Sequence, residues 1–265
     1  MLPDVENAML AIYKKEMRSY FINPVGYVFV GVFLALSAAV CCYTTLQSNT
    51  YSTASYYYFM VLSMIIIIPL LTMRTFSEER KMRTEQMLLT APISITGMVL
   101  GKFLAAMTIF GGSLLVSCVN LIPLYIIGKE ESALDPDGLT VAGPVTPEII
   151  GSLIGVLLVG ATFIAIGILV SSMTENQLSA AVVTIAVLAV MLVLNMLNTV
   201  GSEEEGTRLI NNYFIRYCID WVSVVSRFSN FQYGILDWSA LLYYVSVTFI
   251  AIYLTVRVYE RRRWA

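Results

Sequence analysis

Histidine is absent from this 265-residue chain, and charge is scarce, with 13% of residues Asp, Glu, Lys or Arg. The first absence removes the commonest general base and the commonest metal ligand. The second excludes an ordinary soluble domain, in which about a quarter of residues are charged. The four cysteines, Cys41, Cys42, Cys118 and Cys218, show no CxxC spacing. The first three lie in apolar runs, where a thiol is expected to act as a small buried hydrophobe. Cys218 is the one expected outside the membrane, and it has no obvious partner there. No GxxxxGK phosphate loop occurs, so the chain does not bind ATP by that route. The first twenty residues lack an apolar core followed by a small-residue cleavage site. No cleavable signal peptide is expected, and insertion falls to the first apolar run.

What is present in excess is hydrophobic surface: 58% of residues are hydrophobic and the mean hydropathy is +0.76. A helix needs about 20 apolar residues to cross the hydrocarbon core. Six runs qualify: 25–45, 56–73, 97–127, 149–171, 178–197 and 238–258. Pro69 is an expected kink in the second, and the third is long enough to tilt or project into the cytosol. The expected fold is therefore all-α, one polytopic transmembrane domain over residues 1–265 with six spans. Lys and Arg set its orientation. With the N-terminus inside, Lys14, Lys15, Arg18, Arg74, Arg80, Lys81, Arg83, Lys102, Arg257, Arg261, Arg262 and Arg263 make twelve inner cations, against four outer ones, Lys129, Arg208, Arg216 and Arg227. Both termini are expected in the cytoplasm.

Three connecting regions carry more information than the spans. Residues 6–21 place Met9, Ile12, Tyr13, Met17, Tyr20 and Phe21 mostly three or four apart, with Lys14, Lys15 and Arg18 between them. That is the pattern of a helix lying in the inner interface, which Asn23-Pro24 then breaks. Residues 201–237 are too apolar for a free loop and too charged for a span. They are expected as external helices that lie in the outer interface, re-enter partway, or only cap the helix ends. Residues 76–92, FSEERKMRTEQMLLTAP, form a charged stretch between two spans. A helix is expected from Ser77, a good N-cap, to Leu89, with Met82, Gln86 and Leu89 on one side and Ala91-Pro92 ending it. This stretch is read as a docking surface for a soluble partner, or else as a solvated connector.

Glu78, Glu79 and Arg83 match the EExxxR pattern of intramembrane CAAX-type proteases. Those enzymes also need histidines, so the match is read as chance. Mid-membrane positions lack Asp, Glu, Lys and Arg, which argues against an ion-coupled carrier. Asn120, Asn195 and Asn198 are the few strong polar groups at depth. They either bond between helices or line a path, and such a lining suits a lipid-like or amphipathic cargo. Gly155, Gly160 and Gly167 suit close helix packing.

Three motifs in order carry a resemblance to a known family. They are YKKEMRSYFINPVGYVF near the start, EERKMRTEQMLLTAPI in the charged stretch, and FQYGILDWSALLYYVSVTFIAIYLTVRVYERRRW at the end. Together the chain resembles a permease subunit of a type-2 ABC exporter, of the kind paired with gliding-motility-like and multidrug-like ATPase subunits. Arg83 stands where that family usually has Gly, which puts the local backbone geometry in question. The resemblance implies the type-2 ABC exporter permease fold in the plasma (inner) membrane. It makes 76–92 a coupling helix seated on a cytosolic ABC ATPase dimer, and 6–21 a connecting helix beside it. Glu79, Arg80, Thr84 and Glu85 are the implied contact residues. ATP and Mg would sit on the ATPase, leaving this chain without a cofactor and not itself an enzyme. A second permease subunit, the same chain or a close paralogue, is implied across the second and fifth spans, and no nucleic acid is involved. An ATP-independent scaffold or assembly factor, or a secondary carrier, is the alternative.

Overall fold

In lipid a backbone without water must bond within its own segment, so apolar runs fold as helices. The structure, a computed structural model, describes residues 2–47, 51–84, 94–134, 143–199 and 223–264. Among the described residues every regular element is a helix. Six stretches are long and apolar enough to cross a membrane: Pro24–Thr45, Ala54–Lys81, Ile95–Glu130, Thr146–Met173, Gln177–Leu194 and Trp238–Arg263. The all-α, six-span architecture expected from the sequence is the one observed.

α1 (Leu2–Ile22) precedes the first span. Asn23 is extended, and Pro24 takes the first position of α2 (Pro24–Cys41), where its missing N–H costs nothing and its φ is already helical. α2 continues into a π turn, Cys42–Leu46. Cys41 is buried there, whereas Cys42 is exposed. The expectation that both are buried is corrected: with 3.6 residues per turn, adjacent residues point to different sides. α3 (Ala54–Thr72) contains Pro69 without interruption, and a turn leads to the short α4 (Ser77–Lys81).

The third span is not one helix but two, α5 (Ile95–Ser117) and α6 (Ile122–Leu134), joined by a 3-10 turn at Cys118–Leu121. Pro123 is the cause: it offers no N–H to the carbonyl four residues back, and the chain tightens just before it. α7 (Thr146–Met173), α8 (Gln177–Thr199), a 3-10 turn at Ser226–Phe228, the short α9 (Ser229–Gln232) and α10 (Trp238–Trp264) complete the chain.

α7 is the centre of the bundle. Of its most apolar stretch 72% is buried, against 17% for α8. It packs against α3, α5, α8 and α10. Two glycines allow the close approach: a Cβ at Gly160 would lie 2.1 Å from the Phe110 ring, and one at Gly167 would lie 2.2 Å from Thr72. Small residues at a helix interface serve this end in membranes. α1 lies against α5, where a Cβ at Gly101 would meet the Met9 carbonyl at 3.0 Å. Higher along the pair, Tyr13 and Thr108 share a hydrogen bond of 3.1 Å.

Of the expected external helices at 201–237, residues 201–222 lie outside the described residues. The remainder, 223–237, is an apolar wedge. Val224, Val225, Phe228 and Phe231 are buried. A Cβ at Gly155 would lie 2.7 Å from Phe231, and one at Gly151 would lie 2.7 Å from the Cα of Gly234. Gly234 has φ +75°, a conformation that favours glycine. Ser152 donates to the Phe231 carbonyl (3.4 Å), and Tyr244 donates to the Val224 carbonyl (2.8 Å). Gly155 is the tenth residue of α7, so the wedge reaches about 14 Å along that helix.

Candidate functional site

The opposite end of α7 meets a different kind of segment. Met73–Phe76 turn the chain out of α3, and α4 follows with its backbone tied directly to the last turn of α7. Ser171 Oγ accepts from the N–H groups of Phe76 (3.2 Å) and Ser77 (3.3 Å) and donates to the Met73 carbonyl (3.3 Å). One donor and two acceptor sites, the whole capacity of a hydroxyl, are thus used. The helix start that needs a cap is capped by another helix. Ser77, expected to be the cap, instead turns its hydroxyl back to the Met73 carbonyl, because α4 begins at Ser77 itself and Phe76 holds the cap position.

The return tie runs from Arg80. Its guanidinium donates to the carbonyls of Ser172 (2.9 Å) and Met173 (3.3 Å), where α7 leaves orphan carbonyls and the negative end of its dipole. α4 and the end of α7 therefore cap one another.

α4 stops at Lys81, not at Leu89 as expected. The Arg83 N–H bonds to the Arg80 carbonyl, and the Thr84 N–H to the Glu79 carbonyl, both at 3.0 Å. Arg83 has φ +56°. These bonds are a Schellman termination, whose penultimate position favours Gly because its backbone is left-handed. Arg83 thus occupies a position whose geometry explains why Gly would be preferred there. Beyond it, Gln86 and Leu89 lie outside the described residues.

Behind α4 sits a buried cation. Lys102, in the second turn of α5, has 1% of its side chain exposed. Its ammonium donates to Glu16 of α1 (2.9 Å) and to the Thr75 carbonyl (2.7 Å), and lies 3.0 Å from Glu79 of α4. That gives each of its three hydrogens an acceptor. Lys102 also stands 4.8 Å from the centroid of the Phe76 ring, a cation over an aromatic face. Glu79 takes a second cation, Lys15 of α1, at 3.2 Å. Two carboxylates and two ammonium groups cancel, and that neutrality is what a poorly solvated site requires. Phe76 packs on Tyr259 with ring centroids 4.6 Å apart, which brings the last turns of α10 to the same place. Arg74 and Glu78 form a bidentate pair at 2.9 and 2.5 Å.

Beside Lys102 is a small cleft of about 30 Å³ lined by Glu16, Ser19, Tyr20, Asn23, Arg74 and Glu78 among others. That is room for about two waters. Burial, and then the Glu16 carboxylate, push the Tyr20 phenol well above its ordinary value. It stays a donor, bonding to the Leu71 carbonyl at 3.5 Å.

Of the residues singled out from the sequence, Glu79, Arg80 and Thr84 come together around one short helix. Glu79 points inward to Lys102, Arg80 grips α7, and Thr84 lies exposed with its hydroxyl donating to the Glu79 carbonyl (3.2 Å). Glu85 lies outside the described residues. The exposed tip is Lys81, Met82, Arg83 and Thr84. Asn120 is far from this cluster, in the 3-10 turn between α5 and α6, and donates to Ser37 of α2 at 3.0 Å. Asn195 and Asn198 lie on the backbone of α8, and their side chains are outside the described residues. Sequence reasoning missed Lys102, Glu16 and Ser171 as site residues. The available signal was Lys102 itself, a charge set about two turns inside an apolar helix, and such a charge has a partner.

A protein-family model described as ABC-2 family transporter protein matches residues 42–256. No curated protein matches the chain. The matched stretch contains Glu79, Lys102 and Ser171, and it begins beyond α1.

Proposed function

The chain belongs to the ABC-2 family of transporter proteins, and from that membership we propose that it is the permease subunit of an exporter driven by a separate ATPase. As a membrane transport component of that family, it is read as leaving ATP and Mg to the partner, an ABC ATPase dimer on the cytoplasmic side. The observation that carries the reading is the mutual capping of α4 and α7, with an exposed tip at Lys81–Thr84 and a buried cation behind it. A push on the tip reaches α7 through Ser171 and Arg80, and reaches α1 and α5 through Glu79 and Lys102. Thr84 then faces the ATPase, Glu85 is a contact by the family resemblance alone, and Glu79 and Arg80 carry force inward. The transition is a rigid-body or hinge motion of spans.

Orientation supports the same reading. The tip, Lys102 and the last turns of α10 share one end of the bundle, and twelve of the sixteen Lys and Arg were assigned to that side. That end is cytoplasmic, in the plasma (inner) membrane, with both termini inside. A second permease subunit, the same chain or a close paralogue, completes the transporter, and the outward apolar face of α8, with Leu178, Val182, Val183, Val190 and Val193 exposed, is a surface available to it. The resemblance of the three sequence motifs supports reading it as a member of the gliding-motility and multidrug branch. Asn120 acts in this reading as a bond between helices, and Asn195 and Asn198 remain pathway candidates for an amphipathic cargo.

The test is purification from the native membrane in mild detergent, followed by Arg80→Ala in the purified complex. A stoichiometric ABC ATPase that stays bound to the variant, while its hydrolysis no longer responds to the permease, is the expected result. A chain that comes out intact, monodisperse and without an ATPase overturns the reading in favour of a scaffold or carrier.

A further inference from the structure

A groove of about 290 Å³ separates α5 from α10 on the outside of the bundle. Thr96 and Leu100 line it from the first turns of α5, and Phe249, Ile252, Tyr253, Val256, Arg257 and Glu260 from α10. Its walls change character along α10. From Phe249 to Val256 they are apolar or aromatic, and the charged pair Arg257 and Glu260 forms the lip. Phe249 and Arg257 are eight residues apart, about 12 Å along a helix. Phe249, Tyr253 and Leu254 are exposed, so the groove opens sideways, where lipid stands.

The lip lies near the level of Lys102 and Phe76, since Tyr259 of the next half-turn packs on Phe76. That is the end where the apolar helix gives way to Arg261, Arg262 and Arg263. Arg257 is held in place from its own helix: its Nε donates to the Tyr253 hydroxyl (2.8 Å), Nη1 donates to Glu260 (2.9 Å), and the guanidinium lies 5.1 Å from the Tyr253 ring centroid. A positioned guanidinium is a strong phosphate donor. Clustered arginines at a membrane boundary attract anionic headgroups. The volume is at the small end for ligand sites, enough for one chain and not for a whole lipid.

We propose that this groove is a site for an anionic phospholipid of the surrounding leaflet. One acyl chain lies between Leu100 and Phe249–Val256, and the phosphate is bound at the lip by Arg257 with Arg261 nearby. The occupant is a resident of the bilayer, and its binding does not depend on the ATPase or on transport.

The experiment is native mass spectrometry of the full chain released from nanodiscs containing equal phosphatidylglycerol and phosphatidylethanolamine. One phosphatidylglycerol retained per chain, in excess of its share in the disc, is expected. Arg257→Gln removes a charge-assisted bond, and retention should fall about tenfold. Leu100→Trp fills the groove without touching charge, and should abolish retention while the chain stays monodisperse. Retention unchanged in both variants, or lost only when Arg261, Arg262 and Arg263 are all neutralised, would mean that lipid is gathered by the tail and not by the groove. Dimers seated through this face in place of lipid would also overturn the proposal.

Discussion

The two ends of α7 each receive a non-spanning segment, and they do so by opposite means. At Gly151–Gly155 the wedge 223–234 is held by apolar burial and by glycines that bring backbone almost into contact. At Ser171–Met173, α4 is held by hydroxyl, guanidinium and carbonyl groups, with a buried cation behind it. Apolar close packing is non-directional and dense, and gains nothing from an alternative register. Capping bonds and ion pairs are directional, and can be exchanged for equivalent partners one step away. In the proposed transport cycle the wedge therefore stays packed on α7 and moves with it, whereas the capped end is the one whose bonds can change partners.

The largest expected effect tests whether the polar end rests on its cation. Lys102→Met leaves Glu16 without its cation and Glu79 with only the half-exposed Lys15, and should cost about 3–5 kcal/mol, read as a large fall in thermal unfolding temperature in nanodiscs. Adding Glu16→Gln and Glu79→Gln to that variant should restore most of the loss, because a neutral buried set is tolerated. No recovery would show that the charges themselves are needed for folding. Next comes the apolar end: Gly155→Leu should push Phe228 and Phe231 out, cost about 1–3 kcal/mol, and speed hydrogen exchange over residues 223–234 with no change over residues 73–84. Exchange rising at both ends would collapse the distinction. Ser171→Ala leaves two buried N–H groups without their acceptor and should cost about 1–2 kcal/mol, with faster exchange confined to residues 73–84. The smallest effect is Lys15→Ala. Its side chain is 57% exposed, so its pair with Glu79 should contribute no more than about 1 kcal/mol and should weaken further with salt.

The spans were legible because hydropathy over about 20 residues reads directly as membrane-crossing length. The break at Cys118–Leu121 was readable too, from Pro123, although a window average smooths over a single proline. α4 was legible in place and not in length. Its stop depends on Arg83 adopting a left-handed backbone, and a run such as KMRTEQ shows no glycine to announce it. The cation cluster was the least legible part. Glu16 and Lys102 are 86 residues apart and meet only because α1 lies back across α5. Periodicity along one helix carries no trace of such a meeting. Ser171 was hidden for the same reason: a serine at the end of an apolar helix looks like any polar flank until the backbone that needs it is in place.

α7 runs its 28 residues without a proline or a change of helical type in its interior, as α10 runs its 27, whereas α3 contains Pro69 and the span of α5 and α6 contains the turn at Cys118–Leu121. At 1.5 Å per residue it is about 42 Å long. It therefore acts as a beam. Tilted by about ten degrees around its middle, it would carry each end by about 4 Å in opposite senses. The gear ratio between Ser171 and Gly155 is then set by where the fulcrum lies. Gly160 against Phe110 and Gly167 against Thr72 are the tightest bearings along its length. A fulcrum near Gly167 gives the α4 side the short arm and the wedge side the long one, so a small stroke at the α4 tip would be magnified at the wedge end of the bundle.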